Sequence, residues 1–443
     1  MPAPPCGVKT ALAAAPASCQ SCANDGGKTV SGEPDPVDEQ PLSRLQMTII
    51  VLCAMVALFD GADTFSIGIA APSIAAKLAF PLNIFGSVFS AALFGATIGA
   101  FGFGPLADRF GRKPMLLIAV LVFAAFTFAT ALTPSYQVLL LVRFLAGVGL
   151  GGATPCFLTL AAEFVPTRLR APVTSLLWSG FPLGGMLGSF LNSWLIGAYG
   201  WPAMFHVGGI APLIVAALLW LFVPKPPRTL GAGERAAASP VKNLFADGRA
   251  LATPLLWVPF FMAFGVLVIV VLWTPALLRQ GGMSAPDAAL VVGFHGLGGF
   301  LGMAAAGVLL EKYGTRVLVP AFVIGALFTL LLGMVGTSVP LAALCDALIG
   351  VFVGIGASGM IAVASLVYPA AIRSTGIGWA MAMGRLGQVA APLIAGAMLQ
   401  AGWPVGKMFL LIAAAPLIAA IFVPLVTLAF PSTRRRASRP ALV

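Results

Sequence analysis

The chain has 443 residues, of which 59% are hydrophobic and only 9% charged, with a formal net charge of +11. So few charges cannot coat a soluble globule, and lipid is the surroundings this composition implies. The basic balance does not point to nucleic acid, because the bases are scattered along the flanks of apolar runs with no aromatic stacking platform among them.

Residues 1–46 are polar and rich in Pro, Ala and Gly, and predict a disordered tail. The apolar run at 12–19 is too short for a signal peptide, and the acids Glu33, Asp35, Asp38 and Glu39 follow it. Cys19 and Cys22 supply two ligands only, which do not close a tetrahedral zinc site, so no metal is expected. Cys53, Cys156 and Cys345 fall inside apolar runs, where they are read as small packing residues. Twelve segments are then long enough to cross about 30 Å of hydrocarbon as helices: 47–75, 83–105, 114–132, 135–163, 171–197, 202–223, 255–278, 285–310, 317–336, 339–366, 374–400 and 405–429. A Pro-, Gly- and Ala-rich segment, 224–253, divides them six and six and reads as a linker. The expected organisation is a tail at 1–46, a six-helix half at 47–223, the linker at 224–253, a second six-helix half at 254–430 and a basic tail at 431–443.

The two halves share a repeat. Gly104-Pro-Leu-Ala-Asp108-Arg109-Phe-Gly111-Arg112-Lys113 recurs, degraded, as Gly307-Val-Leu-Leu-Glu311-Lys312-Tyr-Gly314-Thr-Arg316. The same offset of 203 residues carries Gly147 onto Gly350, Gly151 onto Gly354, Pro166 onto Pro369 and Arg170 onto Arg373. Two parallel six-helix halves related in this way are the build of a transporter. The fold expected is therefore an all-α membrane protein of twelve transmembrane helices in two pseudo-symmetric halves.

Alternate loops carry the bases: Arg109, Arg112 and Lys113, then Arg168 and Arg170, the linker, Lys312 and Arg316, and Arg373. The opposite loops hold Lys77, Arg279 and Lys407. This asymmetry places both termini in the cytoplasm, and the chain is expected in the cell's inner membrane.

Charges at helix centres cost roughly 2.5–3.5 kcal/mol each on insertion scales, so each needs a partner or a purpose. Five stand out: Asp60 and Asp63 in the first helix, Arg143 in the fourth, Asp346 in the tenth and Arg385 in the eleventh. Three acids against two bases leave one negative charge over, which a proton can neutralise. Asp60 and Asp63 share one helix face, and two carboxylates that close in low dielectric do not both stay ionised, as a proton-coupling site requires. Arg143 lies about 12 Å into its helix, a depth at which it can meet Asp60; a static ion pair is the other reading. Arg385, about 16 Å along its helix, either holds a substrate carboxylate or pairs with Asp346. His295, alone among apolar residues of the eighth helix, is either a hydrogen-bond donor to substrate or a satisfied interior histidine. Trp178 and Trp379 are further candidates to contact a substrate ring.

The loop motif lies at the helix ends, out of reach of a midplane ligand, and reads as a gate. Asp108 accepts from donors of a facing helix N-terminus and pairs with Arg112 when the inner side is shut. Arg109, Glu163, Arg170, Glu311 and Arg373 are assigned to the same machinery.

The loop motif and the Arg143-x-x-x-Gly147 run resemble the general signatures of the major facilitator superfamily, over 47–430. Within it, Asp60-Gly-Ala-Asp63 and the run Tyr368-Pro369 to Gly378-Trp379, continuing to Gly384-Arg385, resemble the aromatic acid:proton symporter family. The resemblance implies proton and substrate coupling for Asp60, Asp63 and Arg143, and functional roles for Arg373 and Arg385. Ala62 stands where that family usually has an aromatic residue, and Glu311-Lys312 where the second loop usually has Asp-Arg.

The expected function is proton-coupled uptake of an aromatic carboxylate by alternating access. An inside-negative potential opposes entry of an anion by about 2.3 kcal/mol per charge per 100 mV, which one proton cancels. The rival is a proton-coupled exporter of the same fold, toward which the partial signature Gly180-Phe-Pro182-Leu-Gly184-Gly185 points. With no nucleophile and base pair, phosphate loop or metal cluster, no enzyme activity and no cofactor are expected. The partners expected are the substrate, protons and the lipid bilayer, and the protein is expected to be a monomer.

Overall fold

The structure, a computed structural model, describes residues 42–224, 241–246, 249–369 and 372–429. The readings of the tail before Pro41, of Cys19 and Cys22, of most of the linker and of the basic tail lie outside the described residues.

The described residues form twelve α-helices: α1 Arg44–Lys77, α2 Phe85–Phe110, α3 Arg112–Thr130, α4 Tyr136–Phe164, α5 Arg170–Ala198, α6 Trp201–Phe222, α7 Ala252–Gln280, α8 Ala285–Tyr313, α9 Leu318–Leu332, α10 Val339–Val367, α11 Arg373–Gln400 and α12 Val405–Ala429. Helix is the form such apolar segments take in lipid, because it satisfies every backbone donor and acceptor within the segment. The first helix begins three residues before its predicted start because Ser43 and Gln46 close a reciprocal capping box. Part of the segment read as linker is ordered: Val241–Leu244 form a 3-10 turn, tied to α7 by Thr253 Oγ1 donating to the Leu244 carbonyl at 2.7 Å.

The repeat in sequence is a repeat in packing. As α2 packs on α4 and α1 on α5, so α8 packs on α10 and α7 on α11, with α3·α6 and α9·α12 on the flanks. Gly147 is small because a side chain there would overlap the Ala92 carbonyl, and Gly350, its mate, meets the carbonyl of His295 in the same way. Gly111 and Gly314 both turn the chain at positive φ, 98° and 65°. Arg170 donates Nε to the Val165 carbonyl at 3.4 Å, and Arg373 to the Tyr368 carbonyl at 3.3 Å.

Among the described residues, the first six and last six helices meet at one end of the bundle, the end away from the 104–113 loop. There Ser90 Oγ donates to the Val389 carbonyl at 2.7 Å, Ser193 Oγ to the Pro286 carbonyl at 2.7 Å, and Arg279 Nη1 to Ser73 Oγ at 2.8 Å. At Gly86 a Cβ would stand 2.6 Å from the Pro392 carbonyl oxygen. Toward the other end the same helices diverge. Gly104 on α2 and Gly378 on α11 have open space where a Cβ would be, as does Gly307 on α8. The bundle is closed at one end and open at the end that carries the basic loops.

Candidate functional site

Between the two sets of helices lies an open chamber of about 1260 Å³, counted with the solvent at its mouth. Its walls come from α1, α2, α4 and α5 on one side and α7, α8, α10 and α11 on the other. Most of the lining is apolar, with Trp178, Phe181 and Phe264 among it. The charged groups that reach it are Asp60, Arg143 and Arg385. A concave, mostly apolar chamber with a few convergent charges is the usual form of a small-molecule site.

The two acids of α1 part company. Arg143 pairs with Asp63 and not with Asp60: Nη1 donates to Oδ1 at 3.0 Å and Nη2 to Oδ2 at 2.6 Å. Thr127 Oγ1 of α3 adds a third bond to Asp63 at 3.0 Å. Both side chains of this pair are 1% exposed. The expected meeting of Asp60 with Arg143 fails for a geometric reason: residues three apart on a helix still differ by about 60° in direction. That turn aims Asp63 at α3 and α4 and leaves Asp60 facing the cavity. Asp63 is therefore turned away from the cavity that Asp60 lines, and the bidentate fork from Arg143 balances its charge.

Asp60 of α1 and Arg385 of α11 instead line the same cavity from opposite halves. Arg385 Nη1 also donates to Gln388 Oε1 at 3.3 Å, one turn along α11. Pairing of Arg385 with Asp346 is not what forms. Asp346 is fully buried and accepts from, or shares a proton with, His295 Nδ1 at 3.0 Å. His295 lines a second, smaller cavity of about 300 Å³ rather than the large one.

The remaining predicted residues divide similarly. Trp178 lines the large cavity, whereas Trp379 stacks on Trp257 with centroids 6.0 Å apart and is not among the lining residues. Arg112 joins Glu163 at 2.8 Å and Asp108 at 3.6 Å, a cluster wholly within the first six helices. Arg109 lies over the Phe110 ring at 5.4 Å. Glu311 is exposed, and Arg170 and Arg373 hold the backbone carbonyls already named. The glycines of the partial exporter signature serve packing: side chains at Gly184 and Gly185 would overlap Leu58 and Phe65 of α1.

Sequence reasoning missed Thr127, Gln388, Thr154 and Ser358. Gln388 was findable, being a polar residue one turn from Arg385 in an apolar helix. Thr127 carried no signal, since a threonine in a membrane helix usually bonds back to its own backbone.

The chain matches the family model described as Major Facilitator Superfamily over residues 53–335 and 282–442. The chain belongs to the major facilitator superfamily. Among superfamily relatives, it is 33% identical over 408 residues to the gallate transporter of Pseudomonas putida, covering 85% of this chain and 91% of that protein. It is 38% identical over 376 residues to the 3-(3-hydroxy-phenyl)propionate transporter of Escherichia coli K12, covering 84% and 91%. The 4-hydroxybenzoate transporter PcaK of Acinetobacter baylyi is 33% identical over 423 residues, with 87% and 93% covered. Of solved structures, the D-xylose-proton symporter superposes with a TM-score of 0.72 at 21% identity, over 85% of this chain and 97% of that one. That likeness, with the helices described above, makes this a multi-pass, all-α membrane protein of the superfamily fold.

Proposed function

We propose that this protein takes up an aromatic carboxylate together with at least one proton across the cell's inner membrane, by alternating access between the 47–223 and 254–430 halves. The observation that carries the reading is the opposition of Asp60 and Arg385, one from each half, across a chamber whose other walls are apolar and aromatic. The names of the relatives support the substrate class: gallate, hydroxybenzoate and hydroxyphenylpropionate are all aromatic carboxylates. The distribution of bases puts the loop-bearing end in the cytoplasm, so the conformation described is open inward.

The mechanism follows from charge conservation in a low-dielectric chamber. When the chamber is empty, Asp60 and Arg385 neutralise each other, and the chamber itself holds no unpaired charge as the carrier reorients. An incoming carboxylate competes for the Arg385 guanidinium, which binds it with charge-assisted hydrogen bonds. Asp60 loses its partner and takes a proton in exchange. The loaded chamber is again neutral, holding substrate anion on Arg385 and a protonated Asp60, and can turn. Either half-loaded state strands a charge in the membrane, at a cost of several kcal/mol. Asp63 and Arg143 form a fixed second pair that holds α1 against α3 and α4, so that Asp60 keeps its aim. Trp178 and Phe181 supply the ring contact. The Arg112 cluster with Asp108 and Glu163 persists within its half while the gate is open, and is available to meet the other half when the inner side shuts.

The test is uptake of a labelled panel (benzoate, hydroxybenzoates, gallate and phenylpropionates) into cells or vesicles, with and without a protonophore. Concentrative uptake that the protonophore abolishes is expected. Insensitivity to the protonophore contradicts symport. Proton movement opposite to the substrate would assign export instead.

A further inference from the structure

The intramembrane charges leave one acid without a guanidinium. Asp63 has Arg143, and Asp60 faces Arg385. Asp346 is the remaining carboxylate, 0% exposed, and its ionisable partner is His295, 5% exposed, at 3.0 Å. One carboxylate oxygen, Oδ2, is buried with no hydrogen-bond partner among the described residues. The offset of the repeat makes Asp346 the counterpart of Arg143, so the two halves place opposite charges at one position and meet them differently: an α1 acid in the first half, an α8 imidazole in the second. Unlike a guanidinium, an imidazole can both accept and give up a proton at its ring nitrogens.

We infer that His295 and Asp346 form a second proton-carrying site, separate from Asp60, which makes each transport cycle electrogenic. The inference rests on the symport reading above. With a proton shared between Nδ1 and the carboxylate the pair is neutral; without it the pair carries one negative charge, which the emptied carrier bears back outward beside the neutral Asp60–Arg385 pair, and this return is the step the inside-negative potential drives. No other bond is made or broken. The proton is taken from the solution on the side now closed and given up on the side now open.

The surroundings of the pair suit that role. His295 lines the smaller cavity with Phe65 and Phe181 of the first half, and Phe181, Leu267 and Met303 belong to both cavities, so the site adjoins the substrate chamber. It lies on the contact between α5 and α8 that must part when the closed end opens: a Cβ on Gly296, the next residue, would stand 2.5 Å from the Met186 backbone nitrogen. Reorientation thus changes what faces His295. The elements packed around the pair bring no second guanidinium, ammonium or carboxylate to it among the described residues. Neither α5 beyond Arg170 nor α9 has an ionisable residue, α7 has Arg279 at its far end bonded to Ser73, α1 has Asp63 held by Arg143 and Asp60 on the large cavity, α10 adds the Cys345 thiol next to Asp346, and α11 has Arg385 on the large cavity.

The experiment uses the full chain in proteoliposomes and labelled 4-hydroxybenzoate, or whichever acid of the panel is taken up. Two driving forces are applied separately: a potassium diffusion potential without a pH gradient, and a pH gradient with the potential clamped at zero. One anion with two protons moves one net positive charge, so an inside-negative potential of 100 mV alone sustains roughly 50-fold accumulation; one anion with one proton gives none. Wild type is expected to respond to both forces. His295→Gln and Asp346→Asn are expected to lose the response to potential and keep the response to the pH gradient. Counterflow, which needs no proton movement, verifies that each variant is folded; if Asp346→Asn fails it, the milder His295→Gln decides. Variants that still accumulate on potential alone overturn the inference, as does wild type that responds to the pH gradient only. Folded variants that respond to neither force also overturn it, because the pair would then not be separate from Asp60. Wild type that responds to neither force refutes the symport reading itself, and is thereby distinguishable.

Discussion

Replacing Asp63 by Asn separates the structural pair from the coupling acid. The Asp63 and Arg143 side chains are each 1% exposed and joined by two bonds of 2.6 and 3.0 Å, and Arg143 Nε is already buried with no hydrogen-bond partner among the described residues. Taking the charge from Asp63 leaves a guanidinium in the protein interior with only an amide oxygen to meet it. Breaking a buried pair from one side costs roughly 3–5 kcal/mol. Arg143→Met strands the carboxylate and is expected to cost about as much. The combination Asp63→Leu with Arg143→Met removes both charges and fills the space with apolar atoms, an exchange that is commonly neutral or stabilising. The double variant is therefore expected to be no less stable than either single one, with a coupling energy of about 3 kcal/mol or more in the double-mutant cycle. Reversible unfolding in mixed detergent micelles is the assay, and transport is expected to fall in all three variants because α1 loses its tie to α4. Costs that simply add would refute the claim that these two residues form a single interaction. Asp60→Asn in the same assay is expected to lose less, since that side chain faces the cavity.

Arg385→Gln removes the group assigned to the substrate carboxylate and is expected to raise KM roughly 100-fold, the equivalent of about 3 kcal/mol for losing one partner of a desolvated charge pair; initial-rate kinetics check it, with partial recovery expected in Arg385→Lys. An unchanged KM would move the carboxylate site elsewhere. Gly86→Ala puts a methyl group 2.6 Å from the Pro392 carbonyl oxygen in the closed end, and is expected to bias the halves toward the conformation open at that end. A cysteine introduced at Gly378, which faces open space here, should then react more slowly with a water-soluble maleimide than it does in the parent background.

The helices and their six-helix offset were legible in the sequence because apolar length and the repeat of glycines are properties of the chain itself. Gly111 and Gly314 could be matched on paper, and both turn at positive φ. The pairing of charges was not legible in the same way. Asp60 and Asp63 differ by one turn of α1, and which of them faces Arg143 depends on how that helix is rotated against α3 and α4, a consequence of packing at sites such as Gly61, where a side chain would overlap the Phe181 carbonyl. Likewise, Asp346 and His295 lie 51 residues apart on different helices, and only the approach of α8 to α10 brings them to 3.0 Å. Sequence supplied an inventory of three acids, two arginines and a histidine, while the partners were set by tertiary packing.

The proton exchange at Asp60 is most directly measured by a pH-sensitive dye in lightly buffered proteoliposomes held at zero potential. Substrate added to wild type is expected to carry protons inward with it, whereas Asp60→Asn is expected to exchange labelled substrate across the membrane with no accompanying proton flux. Equal proton uptake by Asp60→Asn, or substrate entry into wild-type vesicles with none, would contradict the account.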